Sequence, residues 1–376
     1  MAQLKIIIVP DSFKGTMSSI EFCELASRSI RRADPGAAIV SIPVADGGEG
    51  TVESFLAALG GHREQLQVTG PLWEKTESFY GLLEDGTAVV EMAAAAGLPM
   101  VKGRENPLIA TTYGVGELIA DALPKCKRLV IGLGGSATND GGCGLAAALG
   151  VKFFDRQGKE FIPTGGTLSE ISRISGRADM KNIPVTIMCD VDNPLCGPNG
   201  AACVFGPQKG ASPADVKLLD EGLKHLASVI SRDLGADIAE IPGSGAAGGM
   251  GGGLYAFLGG ELKMGIETVL DVADFDSLLE GADLVITGEG RIDGQSARGK
   301  VVCGVAKRAG KQNIPVIAIV GDVGKGAEQL YSQGLTSIFS INRVSVPLCE
   351  ARPRSRADLA ATVFDIARFA KAMRKE

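Results

Sequence analysis

The chain has two histidines in 376 residues, His62 and His225, and no C-x-x-C pair among its eight cysteines. Neither histidine stands near a cysteine at a zinc-binding spacing, so a structural zinc site is not expected. No histidine base is apparent and no G-x-S-x-G elbow is present, which leaves a hydrolase triad without support. A basic surplus is missing as well: 38 Lys and Arg stand against 44 Asp and Glu, a formal charge of −6. That balance gives no electrostatic footprint for nucleic acid or an anionic membrane, and neither is an expected partner. The longest apolar stretch, residues 88–101, is interrupted by Glu91 and is too short to cross a bilayer. The first nine residues place Lys5 in a short apolar run ahead of Pro10 and Asp11, which reads as a first strand and not as a leader. No internal repeat is visible. The chain reads as a soluble, cytoplasmic protein whose cysteines serve as small buried hydrophobes.

Glycine is abundant, at 52 residues, and clusters at the ends of strand-like runs. Those runs fall at residues 4–9, 37–44, 88–92, 128–133, 184–189, 282–287 and 315–320. Several are continuous Val, Ile and Leu without alternation, the pattern of parallel strands buried on both faces. Helical periods lie between them. Ser18-x-x-Glu21 opens one with a capping box, Ser212-Pro213 opens a long one, and another runs from Lys300 to Ala309. Strand, glycine turn and helix in alternation predict an α/β fold with a mostly parallel, doubly wound sheet. Residues 68–91 differ, with strands and turns but no helix. We therefore expect a doubly wound domain from residues 1–71 and 266–376, interrupted by an inserted α/β domain over residues 72–265. The Gly-rich run 243–253 is expected near the return crossing.

In open parallel sheets, ligands bind beyond the carboxyl ends of the strands. Five strand ends here carry a carboxylate beside glycine or an amide: PDSFKG (10–15), ADGGEG (45–50), GGSATNDGG (134–142), DVDNP (190–194) and GEGRIDGQ (288–295). One such turn is an ordinary helix cap. Five together, two with Lys or Arg alongside, predict a cleft lined with acids and bases. Phosphoryl transfer needs N–H groups or cations around phosphates, carboxylates for Mg²⁺, and a group to orient the attacking hydroxyl. The turn at 134–142 is a candidate phosphate cradle, with a simple βα turn as the alternative. Gly294-x-x-x-x-Gly299-Lys300 begins like a P-loop, but Val301 stands where Ser or Thr should hold Mg²⁺. Gly243-x-Gly245-x-x-Gly248 matches a dinucleotide fingerprint but lacks a preceding strand.

Taken in order, PDSFKG (10–15), PVADGGEGT (43–51), VTGPL (68–72), VVEMAAAAGL (89–98), NPLIATTYGVGELI (106–119), GLGGSATNDGG (132–142), CDVDNPL (189–195), VFGPQKGA (204–211), GAAGGMGG (245–252) and LVITGEGRIDGQ (284–295) resemble the bacterial glycerate kinase family of enteric glycerate and glucarate metabolism. The resemblance covers about residues 4–320 and fades after Asp322. Trp73 stands where the family usually has Gly, and Ala96 where it often has Ser. The resemblance implies transfer of phosphate from ATP, with Mg²⁺, to (R)-glycerate. It favours the 2-hydroxyl over the 3-hydroxyl, and it implies a cleft between the two domains.

Within that frame, Asp190, Lys14 and Arg291 are the expected catalytic residues. Asp11, Asp46, Glu49, Arg291, Asp293 and Gln295 are assigned to glycerate. Gly134, Gly135, Ser136, Thr138, Asn139, Lys209 and Lys300 are assigned to ATP, and Asp190, Asp192 and Glu289 to metal. Arg291 has the fork for a carboxylate, with Lys14 and Lys209 as rivals or phosphate ligands. Neither domain alone holds every part, so a shared site with a closing motion is expected, and self-association stays open. A nicotinamide-dependent hydroxy-acid dehydrogenase and a non-catalytic small-acid binding protein are the competing readings. The first βα turn, PDSFKG, lacks the glycine fingerprint of the former.

Overall fold

The computed structural model describes residues 3–294, 296 and 300–373, with Leu348 described in its backbone only. The chain opens with β1 (Lys5–Pro10), α1 (Ser19–Ala33) and β2 (Ala38–Ser41). Next come α2 (Thr51–Leu59), β3 (His62–Thr69), β4 (Lys75–Leu82), β5 (Thr87–Glu91), α3 (Ala93–Ala96), α4 (Tyr113–Ala122) and β6 (Arg128–Gly132). Then follow α5 (Cys143–Ala148), β7 (Lys152–Phe154), β8 (Glu160–Phe161), β9 (Arg173–Ser175), β10 (Val185–Met188), α6 (Ala201–Phe205), α7 (Pro213–Leu234), α8 (Ala246–Leu258) and β11 (Glu261–Lys263). The chain finishes with α9 (Gly265–Val272), α10 (Phe275–Leu278), β12 (Leu284–Ile292), α11 (Val301–Lys311), β13 (Val316–Val323), β14 (Ser337–Ser340) and α12 (Leu348–Met373).

These elements pack as two compact units. The first comprises Met1–Ala45, Ala57–Leu59 and Ile266–Glu376, and the second Asp46–Leu56 and Gly60–Gly265. In the first, five parallel strands run in the order β14-β13-β12-β1-β2. This is the flavodoxin-like doubly wound order, with its switch point between β1 and β12. Ile6, Ile7, Ile8 and Val9 are all fully buried, as a strand covered on both faces requires. One cover comes from α1 and α12, whose Phe22, Ala26, Ile30, Leu359 and Val363 close over Ile6, Ile8 and Ile286.

In the second unit a six-stranded sheet runs β11-β10-β6-β5-β4-β3, parallel from β11 to β5 and antiparallel from β5 to β3. A small antiparallel sheet, β8-β7-β9, lies in the same unit. The second unit ends at Gly265 and the first resumes at Ile266. The first crossing lies at residues 45–60 and not at 71. The reason is β3, which pairs along its full length with β4, from His62 opposite Leu82 to Thr69 opposite Lys75. A strand belongs to the sheet that satisfies its backbone, and this one is satisfied in the second unit. The Gly-rich run 243–253 is not at the crossing either: it starts α8, buried in the second unit's core.

Helix ends follow the local signals. Ser18 Oγ accepts the Glu21 N–H, capping α1. At α7 the box is reciprocal: Ser212 and Asp215 each take the other's backbone N–H, Pro213 occupies the first turn, and Gly235 ends the helix in a left-handed conformation. By contrast, α11 continues through Gly310, where its end was expected, and is capped at Gln312. We expect Ser212→Ala to lower unfolding stability by about 1 kcal/mol, read as a lower urea midpoint at unchanged slope. An unshifted midpoint would remove the cap from this account.

Candidate active site

At the carboxyl edge of the first unit's sheet, β1 ends with Pro10 opposite Gly288, and β12 continues past it to Ile292, paired with β13. The Asp11 N–H donates to the Gly288 carbonyl at 2.8 Å, and Asp11 Oδ1 accepts the Ser12 N–H at 2.6 Å. Glu289, one residue further along β12, is 5% exposed, and its Oε1 has no hydrogen-bond partner among the described residues. Burial pushes its carboxyl up to about 7, the Asp11 and Asp293 charges add to this, and the Ser296 hydroxyl and Lys300 oppose it. Arg291 is exposed, with Nε 3.7 Å from Asp293 Oδ2 and from Asp322 Oδ2, beyond hydrogen-bond length. Lys14 lies on the exposed turn closed by the Phe13 N–H to Met17 carbonyl bond, against Gly290 of β12. Lys300 stands at the N-cap of α11. The fold therefore brings Asp11, Lys14, Glu289, Arg291, Asp293 and Lys300 to one sheet edge, while Gln295 lies outside the described residues.

In the second unit the 46–50 loop lies on the end of β6. The Gly134 N–H donates to the Gly47 carbonyl at 2.9 Å, and a Cβ on Gly134 would meet Gly48 Cα at 2.5 Å, so only glycine fits. Asp46 Oδ1 accepts the Gly48 N–H at 3.2 Å, and Asp46 and Glu49 are both exposed. Sequence reasoning missed the residue that anchors this loop. Glu91, at the end of β5, is buried and accepts the Thr51 and Val52 N–H groups at 2.8 and 3.2 Å, capping α2. Its signal was a lone charge in an apolar run, which the sequence reading treated only as an interruption. Burial raises its carboxyl above the ordinary range.

The turn after β6 divides by accessibility. Gly135 is exposed and Gly134 half-buried, whereas Ser136, Thr138, Asn139 and Asp140 are buried. Asp140 accepts the Thr112 N–H and hydroxyl at 2.8 Å each, the Gly142 N–H at 3.0 Å and the Gly144 N–H at 3.2 Å. Lys209 is 2% exposed, and its Nζ donates to Ser136 Oγ at 2.6 Å and the Thr138 carbonyl at 2.7 Å. Burial pulls Lys209 down to about 7, against the nearby Asp140 charge. Thr138 Oγ1 and both side-chain polar atoms of Asn139 have no hydrogen-bond partner among the described residues. After β10, Asp190 and Asp192 are exposed, and Asp190 Oδ1 accepts the Gly265 N–H at 2.7 Å. The expected metal carboxylates thus belong to different units, Asp190 and Asp192 to one and Glu289 to the other. Among the described residues no three His, Cys, Asp or Glu side chains form a metal cluster. No helix of the described residues is long and apolar enough to cross a membrane.

The sequence profile of the glycerate kinase family matches residues 6–371, so the likeness does not stop at Asp322 as the sequence reading expected. A glycerate kinase of Bacillus subtilis (strain 168) is 47% identical over 370 residues, covering 97% of each chain. A glycerate 2-kinase of Escherichia coli (strain K12) is 46% identical over 346 residues, covering 90% of each. A crystal structure from Salmonella typhimurium LT2 assigned to glycerate kinase 2 superposes with a TM-score of 0.87 at 42% identity, covering 99% of each chain.

Glu289 supplies a pH test. Its folded value of about 7 lies above the ordinary 4.5, so the native state holds this proton more tightly than the unfolded chain. The stability it contributes is complete below 4.5 and is lost as pH rises to about 7. Above that, Glu289→Gln should be more stable than the parent by roughly 3 kcal/mol, with the difference vanishing in acid. Urea unfolding at a series of pH values measures this, and a pH-independent difference would contradict it.

Proposed function

The chain belongs to the glycerate kinase family, and from that premise we propose a division of labour among its residues for the reaction it catalyses, transfer of phosphate from ATP to glycerate. The acceptor is the 2-hydroxyl of (R)-glycerate and the product 2-phosphoglycerate, a reading supported by the glycerate 2-kinase relative. One observation carries the assignment of the proton acceptor: Glu289, a buried carboxylate with an oxygen that no described residue partners, at the switch point of a flavodoxin-like sheet. A group titrating near neutral pH is matched to taking the hydroxyl proton as the phosphorus–oxygen bond forms. This role suits Glu289 better than metal ligation, since a half-protonated carboxyl is a weak ligand for a hard cation.

Arg291 takes the carboxylate of glycerate. Its carboxylate neighbours sit at 3.7 Å, which orients the guanidinium while leaving its N–H groups for a ligand. Lys14, Asp11 and Asp293 complete that side. Asp46 and Glu49 are held by the loop that Gly134 and Glu91 fix, and they are candidates for hydroxyl contacts. For the nucleotide, the exposed Gly135 of the second unit and the exposed Lys300 at the N-cap of α11 in the first are each assigned to phosphate. Ser136, Thr138, Asn139 and Lys209 act from beneath: Lys209 ties the turn together and does not reach the phosphates itself.

Asp190 and Asp192 would hold Mg²⁺. Two exposed carboxylates, with no third ligand grouped with them among the described residues, fit a cation that keeps water and phosphate oxygens as its remaining partners. When bound, Mg²⁺ neutralises charge on the transferring phosphate. Five of the eight cysteines are buried, as small hydrophobes of a protein in a reducing cytoplasmic setting would be.

Incubation with ATP, Mg²⁺ and glycerate should yield ADP, and enolase alone should consume the product only if phosphate is on the 2-position. No glycerate-dependent ADP would end this reading, and NADH formation would favour a dehydrogenase. Asp190→Asn should lose activity at least about tenfold at saturating Mg²⁺. Near-parental turnover would remove Asp190 from the metal site. Arg291→Lys should raise KM for glycerate more than for ATP, and the reverse would move this residue to the phosphates.

A further inference from the structure

The chain around the start of α12 carries four arginines, and three are matched by carboxylates. Arg343 pairs with Asp365 at 2.9 Å, Arg354 with Asp358 at 3.4 Å and Arg356 with Glu21 at 2.5 Å. Arg352 is exposed and has no carboxylate at salt-bridge distance among the described residues. Its guanidinium lies against the turn after β1. Arg352 Nε lies 3.5 Å from Thr16 Oγ1, and a Cβ on Gly15 would come within 2.8 Å of Arg352 Nη2. Gly15 is in the left-handed region at φ 71°, so the turn both bends there and leaves room for the guanidinium.

That turn, Phe13 to Met17, follows β1 at the carboxyl edge of the parallel sheet. It is closed by the Phe13–Met17 backbone bonds and held to α12 by the Arg356 Nη2 bond to the Thr16 carbonyl at 2.9 Å. Lys14 adds a second cation beside Gly15. The comparison with Arg291 is instructive: its charge is answered by Asp293 and Asp322, whereas that of Arg352 is not answered by any described side chain. An unmatched guanidinium, set by its neighbours at the edge where such sheets bind ligands, is prepared for a planar oxyanion.

We propose that Arg352 is a substrate-binding residue of the kinase, receiving an oxyanion over the Phe13–Met17 turn. The oxyanion is either the carboxylate of glycerate or a phosphate of ATP. This gives the C-terminal helix a direct part in the site, and it rests on the kinase reading above.

Two measurements test it on parent, Arg352→Ala, Arg352→Lys and Arg354→Ala proteins. One is steady-state kinetics with each substrate varied. The other is calorimetric titration with glycerate and with a non-hydrolysable ATP analogue, which requires no turnover. Arg352→Ala should weaken one ligand by about tenfold or more in both KM and binding, the loss expected for a charge-assisted contact. Selective loss for glycerate identifies the carboxylate, and selective loss for nucleotide the phosphate. Arg352→Lys should recover only part of the loss, and Arg354→Ala should behave as parent. If Arg352→Ala binds both ligands within about twofold of parent, or if Arg354→Ala loses as much, the proposal is wrong. Should the Ala variant fail to fold by circular dichroism, Arg352→Gln carries the same comparison with the side-chain stem retained. A parent that makes no ADP but binds the nucleotide analogue sinks the kinase reading while still reporting on Arg352.

Discussion

A set of parallel strands delivers its last backbone groups to one edge, and a chain leaving that edge must satisfy each buried N–H within a few residues. The carboxylates here answer that constraint first. Asp11 takes the Ser12 N–H, Asp46 that of Gly48, Glu91 those of Thr51 and Val52, Asp140 those of Thr112, Gly142 and Gly144, and Asp190 that of Gly265. Each bond fixes a turn that carries other candidate groups, so the geometry of both candidate half-sites depends on how strand ends are capped. Beside these caps, our proposals draw on residues whose polar atoms the fold does not use up. Glu289, with its unpartnered oxygen, and Arg352, with its unmatched charge, are of that kind.

This separates what the sequence made legible from what it did not. Continuous Ile and Val in 6–9 and Leu, Val and Ile in 129–131 announced buried parallel strands, and those residues are fully buried. The Ser212-Pro213 signal placed the start of α7. The strand-end carboxylates were also visible, but sequence could not say which serve the backbone alone. Asp140 and Glu91 are buried caps, a distinction that depends on N–H groups brought from other elements. The boundary at residue 71 was misplaced for a related reason. Whether β3 pairs with β4 or with the first sheet is a matter of non-local pairing that its composition does not encode.

Lys209 illustrates the same limit from the other side. A lysine in the string VFGPQKGA reads as a phosphate ligand, yet this one is buried beneath the turn it was expected to extend. Taking an ammonium out of water costs several kcal/mol unless partners compensate. Here Ser136 Oγ and the Thr138 carbonyl accept from it, and Asp140 supplies a counter-charge. What that arrangement achieves is a turn whose backbone is set before any ligand arrives. Donors already in place need no reorganisation at the moment of transfer, which is where preorganised sites gain most of their advantage.

The two strongly shifted buried groups point the same way through their pH dependence. Glu289, raised to about 7, withdraws stability as pH rises from 4.5 toward neutrality. Lys209, lowered from 10.5 to about 7, withholds stability up to neutrality and restores it only as pH climbs toward 10.5. For these two groups together, neutral pH is the least favourable point of the range. A chain selected only for stability would remove both, by an amide at one position and a neutral side chain at the other. A carboxyl kept near its titration point at working pH is instead what the proton transfer we propose for Glu289 requires, and perturbed groups of this kind gather at functional sites. For Glu289 the energetic disadvantage therefore accords with the role we propose, and for Lys209 it is the cost of a tether that sets the turn after β6.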